Sequence, residues 1–290
     1  MSERRKQFDH IIYHGGCADG LTAAWIAWEH GHAHALFTPG NYGQDPPDVR
    51  DQHVLMVDFC YPWPVLKLMV ESAASMTVID HHKTTVTEVL PLFAIDDQSA
   101  VLVQRLLMPI VDESHSGARL TWDYFHPGLA APPLVNYVED RDLWRWTLPL
   151  SREINAVIQA TPQSFETWTR LGKELRESKF LLSVRGRGIL AYQNQVVARH
   201  VRHAWRETIG GVEVMAVNAT CCASEIAGTL AESAPFGAVW SQRGDGQYVY
   251  SLRSRPEGMD VEEIARSYGG GGHKHAAGFQ VARPCERVIG

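Results

Sequence analysis

The stretch MTVIDHHK, residues 76–83, is the most informative part of the sequence for the fold. Residues 76–79 are apolar or β-branched and predict a buried strand, and an aspartate and two histidines follow where that strand ends. In open sheets of parallel strands, ligands bind beyond the carboxyl ends of the strands. The stretch therefore predicts a sheet with a polar site at one edge.

Two earlier segments have the same organisation. His10–Tyr13 predicts a short strand that leads through the turn HGGCADG, residues 14–20, into a helix over Leu21–His30. His53–Val57 predicts a second buried strand with an aspartate directly after it. One aspartate thus follows each of the three predicted strands: Asp19, Asp58 and Asp80.

Helical spacing at Pro62–Ser72 and Ser114–Phe125 makes strands alternate with helices across the first half of the chain. This alternation predicts an α/β domain, with a mainly parallel sheet flanked by helices, over residues 1–150.

The second half of the chain has a different amino-acid composition. Residues 151–208 are rich in Arg, Glu, Gln and Leu, and we expect a helical linker in which Arg185–Trp205 is one long helix. Residues 209–290 predict a smaller mixed α/β domain, and we expect an active-site cleft between the two domains. The elements predicted there are strands at 212–217, 237–241 and 247–253, helices at 224–232 and 261–268, and a last strand after a glycine run.

The composition excludes several classes of protein. The chain has 290 residues, 45% of them hydrophobic, and a net charge of −6, so a disordered chain is not expected. No window approaches about 18 uninterrupted apolar residues, which argues against a membrane-spanning helix. The excess of acidic residues argues against a duplex-DNA partner, which needs a basic surface. Five cysteines without a repeating spacing fit a reducing cytoplasm.

Carboxylates and histidines are concentrated at the predicted strand ends. Each aspartate alone would be explained as the cap of the following helix. Several carboxylates at one sheet edge, however, repel one another unless cations bind there. Aspartate and imidazole suit Mn²⁺ or a similar divalent ion, and a pair of such ions activates water and clamps a phosphate. Asp58, central among the strand ends, is the candidate for a carboxylate that bridges two ions.

A fourth motif, YVEDRDLW at residues 137–144, adds the carboxylates of Asp140 and Asp142. Near the C-terminus, the run GGGGHKH at residues 269–275 permits a backbone nest around an anion, although a flexible linker has a similar composition. Arg253 and Arg255 follow a predicted strand and are suited to binding a phosphate, although a solvated strand edge would also carry them.

These motifs, in this order, resemble the DHH phosphoesterase superfamily, in the branch with a C-terminal DHH-associated domain. That branch includes oligoribonucleases, cyclic-dinucleotide phosphodiesterases, single-strand exonucleases and exopolyphosphatase-related proteins. The resemblance implies two Mn²⁺ ions, with Mg²⁺ or Co²⁺ as alternatives. The implied metal ligands are His14 for the first ion, Asp19 and His81 for the second, Asp58 for both, and Asp140 or Asp142 as one more carboxylate.

The resemblance also implies catalytic and substrate-binding residues. His82 would face the substrate phosphate, Asp80 would orient a histidine, and these two with Asp58 form the implied catalytic set. The positions implied to bind the rest of the substrate are His82, Arg253, Arg255, Gly270, Gly271, Gly272 and His273.

The first motif departs from the family. Many members have Asp-x-Asp where this chain has Cys17-x-Asp19. A cysteine in a ligand position removes a carboxylate, so the first site would bind a softer ion, bind more weakly, or stay empty until substrate arrives. The alternative is that Cys17 only packs.

The leading hypothesis is metal-dependent hydrolysis of short nucleotide substrates. These are oligonucleotide or linear dinucleotide phosphodiesters, or nucleotide phosphomonoesters. The lack of a long basic stripe favours short single-stranded substrates over long strands. The alternatives are a phosphoanhydride hydrolase acting on polyphosphate or pyrophosphate, and a non-catalytic nucleotide- or RNA-binding protein. A homodimer is compatible with the sequence.

Overall fold

A computed structural model describes residues 7–89 and 109–288. The chain divides into two compact units, residues 1–189 and 190–290. The first unit therefore includes the helices between residues 151 and 177, which the sequence assigned to a linker. The predicted domain boundaries at 150 and 208 stay a prediction.

The first unit is built on a parallel sheet of five strands. The strands are β1 (His10–His14), β2 (Leu36–Gly40), β3 (His53–Val57), β4 (Ser75–Asp80) and β5 (Ile110–Val111), in the spatial order β2-β1-β3-β4-β5. Each pairing is parallel, and the register sets His10 beside Val54 and Val54 beside Met76. The predicted α/β class with a mainly parallel sheet is confirmed.

Helices surround this sheet. They are α1 (Ala18–Ala27), α2 (Trp63–Ser72), α3 (Gly117–Phe125), α4 (Pro133–Asp142), α5 (Ser151–Ala160) and α6 (Phe165–Glu177). Short π-helical turns lie at Trp28–His32 and Thr85–Val89. The helix α7 (Lys179–Val201) follows α6 and ends in the second unit.

Alternation along the strands creates two hydrophobic cores, one on each face of the sheet. Ile11, Leu55 and Ile79 pack against α1 and α3–α6, whereas their neighbours in sequence pack against α2. Successive side chains of a strand point to opposite faces, so strands buried on both faces read as continuous apolar runs. Full burial of each such side chain contributes roughly 1.5–3 kcal/mol.

The second unit is built on a mixed sheet. Its strands are β6 (Trp205–Ile209), β7 (Val212–Asn218), β8 (Gly237–Gln242), β9 (Tyr248–Arg253), β10 (Gly271–His273), β11 (Ala276–Val281) and β12 (Glu286–Arg287), in the order β10-β11-β9-β8-β7-β6-β12. β7 and β8 are parallel, and the other pairings are antiparallel. The helices α8 (Ala223–Leu230) and α9 (Val261–Ser267) contribute to separate cores of this unit.

Several strands differ from the sequence prediction, which did not include β2, β5, β6 or β12. The edge strand β2 was not expected, because its sequence LFTPG contains a proline, which cannot donate to a ladder. The predicted helix over Arg185–Trp205 instead ends at Val201, and Trp205 begins β6. Among the described helices, none is long and apolar enough to cross a membrane.

Candidate metal centre

Six acidic and histidine side chains of the first unit form one cluster at the carboxyl ends of the strands. They come from the end of β1, the first turn of α1, the residues after β3 and β4, and the end of α4: His14, Asp19, Asp58, His81, His82 and Asp142. Parallel strands end at the same sheet edge, which explains how motifs far apart in sequence meet.

The imidazole of His81 lies among three carboxylates. Its Nε2 is 3.1 Å from Asp58 Oδ1, 3.5 Å from Asp142 Oδ2 and 3.8 Å from Asp19 Oδ2. His81, Asp58 and Asp19 are each almost fully buried, with 1% exposure. The charges therefore act on one another with little screening by water.

Asp58 also contacts a second histidine. Its Oδ2 is 3.5 Å from Nδ1 of His14. The ring of His14 lies 5.5 Å from the ring of His82, centroid to centroid. Asp58 thus lies between the two histidines that flank the cluster, His14 and His81.

Local backbone geometry fixes Asp58. The residue has a left-handed φ of 55°, a conformation that aspartate tolerates better than most side chains. A Cβ atom on Gly117, at the start of α3, would lie 2.5 Å from the Cβ of Asp58, so only glycine allows that helix to begin there. The next amide of α3, on Ala118, donates to Asp19 Oδ1 at 3.1 Å. The other oxygen of Asp19 is left facing His81.

Asp80 lies behind the cluster. Its Oδ1 accepts from the His81 amide at 2.8 Å and lies 2.7 Å from His82 Nδ1, and its Oδ2 accepts from Thr85 Oγ1. A carboxylate in this position fixes the ring orientation and tautomer of a histidine. The geometry matches the orienting role that the resemblance implies.

The two aspartates of the fourth motif have different surroundings. Asp140 accepts hydrogen bonds from the amide and hydroxyl of Thr147, the amide of Leu148 and the hydroxyl of Ser151. Its carboxylate is therefore occupied within its own loop, and Asp140 lies outside the cluster. Asp142 is the one that reaches His81.

The pKa values of the central groups move in opposite directions. Burial alone would raise the pKa of Asp58, but its contacts with His14 and His81 outweigh burial and hold the pKa well below its usual range. Burial alone would lower the pKa of His81, but Asp58 and Asp142 outweigh it and raise the pKa well above 6.5. The same balance, with Asp58 and Cys17 as partners, raises the pKa of His14.

The outer carboxylates carry an excess of negative charge. Burial, followed by the charges of Asp58 and Asp142, raises the pKa of Asp19 well above its ordinary value. Burial is also the main cause of the raised pKa of Asp142. Without a cation, burial and the neighbouring negative charges disfavour the ionised form of these two groups.

These residues fit a divalent cation. Within residues 7–89 and 109–288, the buried Oδ2 of Asp19 and both oxygens of Asp58 accept no hydrogen bond of normal geometry. The ligand atoms of His14, Asp58 and His82 lie within 4.8 Å of one another, and so do those of Asp19, His81 and Asp142. Carboxylate oxygens with imidazole nitrogens are a donor set that Mn²⁺, Mg²⁺ and related ions accept.

Cys17 lies beside this cluster. It precedes α1 as its N-cap, and its thiol is within hydrogen-bonding reach of His14. It belongs to none of the ligand groups found among the described residues. The thiol therefore contacts a ligand candidate without completing a ligand set.

The sequence prediction missed an aromatic wall next to the cluster. The ring of Tyr42 lies 6.0 Å from that of His14 and 6.2 Å from that of His82, and Phe59 stacks on His14 at 5.9 Å. Tyr42 is 39% exposed. It follows β2, so recognition of that strand would have placed it at the same sheet edge.

The residues predicted to bind substrate in the second unit are not equivalent. Arg253 is half-buried and donates to the carbonyl of Leu252 and the hydroxyl of Ser224, both at 2.8 Å. Arg255 lies beyond the strand, exposed, with its Nε 3.4 Å from Glu257.

The glycine run is part of the sheet. Gly271, Gly272 and His273 form β10, which pairs with β11. A Cβ on Gly270 would lie 2.1 Å from the carbonyl oxygen of Gly278, so close approach to a neighbouring strand explains this glycine. The predicted anion nest at Gly270–Gly272 stays a prediction.

Comparisons with known proteins identify a matching family model and a viral relative. Residues 222–287 match the family model of the DHHA1 domain. The chain is 27% identical over 301 residues to an uncharacterized protein of Acanthamoeba polyphaga mimivirus, in a match that covers 95% of this chain and 68% of that protein.

Two solved structures are similar to this chain. RecJ in complex with Mn²⁺ from Thermus thermophilus has 18% identity and a TM-score of 0.45, over 93% of this chain and 49% of that chain. An exopolyphosphatase-related protein from Bacteroides fragilis has 11% identity and a TM-score of 0.47, over 97% of this chain and 88% of that chain. This chain thus spans about half the length of that RecJ.

The match of residues 222–287 to the DHHA1 domain agrees with the C-terminal DHH-associated domain that the sequence motifs predict.

Proposed function

We propose that this chain is a metal-dependent phosphoesterase that hydrolyses short nucleotide substrates. The observation that carries the proposal is the pair of ligand groups joined by the 3.1 Å contact between His81 and Asp58. Buried carboxylate oxygens without a hydrogen-bond donor are costly unless a cation compensates their charge.

The two groups would hold two divalent ions. His14, Asp58 and His82 form the first group, and Asp19, His81 and Asp142 form the second. Asp58 belongs to the first group and contacts the second through His81, which supports its role as the shared carboxylate. Bound ions in such a pair lower the pKa of water and neutralise the charge that develops on a phosphate.

The remaining residues of the site hold protons and orient ligands. Asp80 accepts a hydrogen bond from Nδ1–H of His82, which would direct Nε2 of that ring towards an ion or phosphate held by the first group. The amide of Ala118 holds Asp19 by one oxygen, so its other oxygen keeps a fixed direction. Preorganisation of this kind removes the reorganisation cost at the moment of reaction.

Exposed aromatic rings near the site support a nucleotide substrate. Tyr42 contacts the histidines, and Trp144, two residues after Asp142, is 40% exposed. Base stacking on such rings is tolerant of sequence, whereas inorganic polyphosphate has no use for them. This contrast favours nucleotides over phosphoanhydrides.

The test is product analysis on diadenylate, adenosine 3′,5′-bisphosphate and polyphosphate, each with Mn²⁺ and with chelator. We expect mononucleotides from diadenylate, and the loss of this product on chelation. Phosphate released from polyphosphate alone would replace the proposal with an anhydride hydrolase. No turnover of any substrate, with Cys17→Asp as inactive as the wild-type chain, would favour a non-catalytic binding protein.

A further inference from the structure

The helix α7 has an unusual charge distribution. Between Glu177 and Glu207 the sequence contains six Lys or Arg residues and no Asp or Glu, although the whole chain has a net charge of −6. The part of this segment in the second unit presents its side chains to solvent: Tyr192, Gln195, Arg199, Arg202 and His203 are exposed.

Tyr192, Gln195 and Arg199 lie on one stripe of α7, and Arg202, in the turn directly after the helix, continues their spacing. The spacing from Tyr192 to Gln195, Arg199 and Arg202 is three, four and three residues, which is the spacing of one helical face. Tyr192 is 70% exposed, the largest exposure among the large hydrophobic and aromatic side chains of the described residues. At a rise of about 1.5 Å per residue the stripe is about 15 Å long.

A groove runs beside this stripe. Its volume is about 650 Å³, and its polar lining includes Asn194, Gln195 and Arg199 from α7, Arg202 directly after α7, and Thr229 from α8. None of its lining residues is acidic. The structure gives neither guanidinium group an ion pair within residues 7–89 and 109–288, so both charges face solvent or a ligand.

We propose that this groove binds the backbone of single-stranded nucleic acid. Guanidinium groups bind phosphates in a bidentate manner, and amides of Asn and Gln bind sugars and base edges. An exposed tyrosine on the same stripe offers a stacking surface, and the combination of aromatic rings with a cationic groove is typical of single-strand binding. The choice of nucleic acid among polyanions rests on the proposed function.

A groove of this kind changes the expected substrate length. The negative net charge of the whole chain gives no indication of the Lys and Arg residues of this segment, because acidic residues elsewhere outnumber them. The structure places two of them, Arg199 and Arg202, in the groove, where they can retain strands longer than a dinucleotide. The groove therefore raises affinity for longer strands without taking part in the chemistry.

The test is binding of labelled single strands of two and twelve nucleotides, measured by fluorescence anisotropy in chelator so that no turnover occurs. The test variant is Arg199→Gln with Arg202→Gln. The matched control is Arg206→Gln with Arg243→Gln, because those two exposed arginines are paired with Glu213 and Asp245 and the charge change is equal.

We expect the test variant to bind the 12-mer at least about fivefold more weakly, with a salt slope smaller by about 1.4. The control variant should stay within about twofold of the wild-type chain. Tyr192→Ala should weaken 12-mer binding by about tenfold, as loss of one stacked base does. Equal 12-mer affinities in the test and control variants would overturn the inference, and so would polyphosphate that competes as well as the 12-mer does.

Turnover separates this inference from the proposed function. Hydrolysis of diadenylate with Mn²⁺ should have the same kcat/KM in the test variant and the wild-type chain, because a dinucleotide does not need the groove. If no substrate is hydrolysed but the 12-mer still depends on Arg199 and Arg202, the proposed function fails and the groove stands.

Discussion

At the scale of the residue, one carboxylate connects most of the site. Asp58 contacts His14 and His81, takes a left-handed backbone conformation, and packs against Gly117. Strained backbone of this kind persists only where the surrounding structure supports it, and it clusters at functional sites. The residue is therefore suited to a substitution that changes charge and leaves the backbone alone.

The substitution is Asp58→Asn, since asparagine also tolerates a left-handed φ. We expect kcat/KM on a dinucleotide with Mn²⁺ to fall by more than about 100-fold, because even residues that only orient metal ligands are worth about 10–100-fold. The control is Asp51→Asn, an exposed aspartate with a φ of 59°. Activity within about tenfold of wild type in Asp58→Asn would remove Asp58 from the metal site.

The sequence predicted most of these residues, but it did not predict which of two neighbouring aspartates faces the site. Strand ends located Asp19, Asp58 and the DHH stretch, because the carboxyl edge of a parallel sheet follows from strand order alone. Asp140 and Asp142 are two positions apart on α4, so their side chains point about 200° apart and only one can face the site. Which one it is depends on the hydrogen-bond donors of Thr147 and Ser151, later in the chain, and local pattern does not contain that information.

At the scale of the element, Asp140 organises the loop that follows α4. Trp144, Trp146 and Leu150 in this loop have positive φ angles between 54° and 62°. Such conformations are costly for bulky side chains, and the hydrogen bonds to Asp140 offset the cost. The loop begins next to Asp142, so its conformation sets the direction of that carboxylate.

Asp140→Asn should therefore act through the loop. An amide replaces one acceptor oxygen, and the hydroxyl of Ser151 or the amide of Leu148 then faces an N–H group. We expect a loss of about 1–3 kcal/mol in the free energy of unfolding, measured with urea, and weaker Mn²⁺ binding. The control is Asp112→Asn, an exposed aspartate that accepts from Ser114. Equal losses in the two variants would contradict a specific role for Asp140.

In the second unit, a buried glutamate in β6 explains why the sequence did not predict this strand. Glu207 lies at an inward position of β6 and is 2% exposed, where an apolar residue would have completed the alternation. It accepts from Trp205 Nε1 at 2.8 Å, Trp240 Nε1 at 3.1 Å and Tyr250 OH at 3.2 Å. The partners come from three strands, so Glu207 meets its hydrogen-bond donors only when the sheet has formed.

This acid predicts a dependence of stability on pH. Burial raises the pKa of Glu207 above 4.5, despite the hydrogen bonds that oppose the shift. A raised pKa in the folded state means that the favourable contribution is complete below the ordinary pKa and is lost as pH rises through the folded value. Relative to Glu207→Gln, the wild-type chain should therefore lose stability in urea unfolding as the pH rises from below 4.5 through the raised pKa of Glu207. Glu213→Gln, at an exposed glutamate, is the control, and identical pH profiles for the wild-type chain and Glu207→Gln would refute the argument.

At the scale of the whole molecule, the two proposed sites lie in different units. The ligand groups around Asp58 and His81 lie in residues 1–189, and the cationic groove lies in residues 190–290. The composition of the sequence predicted two domains but placed α5 and α6 in a linker. An amphipathic pattern does not indicate which hydrophobic core a helix packs against. In the structure, Trp168 and Leu175 of α6 are buried in the core of the first unit.

This division predicts where a metal ion stabilises the chain. A ligand that binds only the folded state stabilises it by mass action, by about 2.7 kcal/mol at 100 times its Kd. The buried carboxylates of Asp19, Asp58 and Asp142 belong to the first unit, so Mn²⁺ should slow hydrogen exchange in β1, β3, β4 and α4. The strands β6–β9 should exchange at the same rate with Mn²⁺ and with chelator, since they supply no member of the two ligand groups. Asp58→Asn should lose the protection, whereas Asp51→Asn should keep it. Protection that spreads equally over both units, or that survives in Asp58→Asn, would show that the ion binds elsewhere.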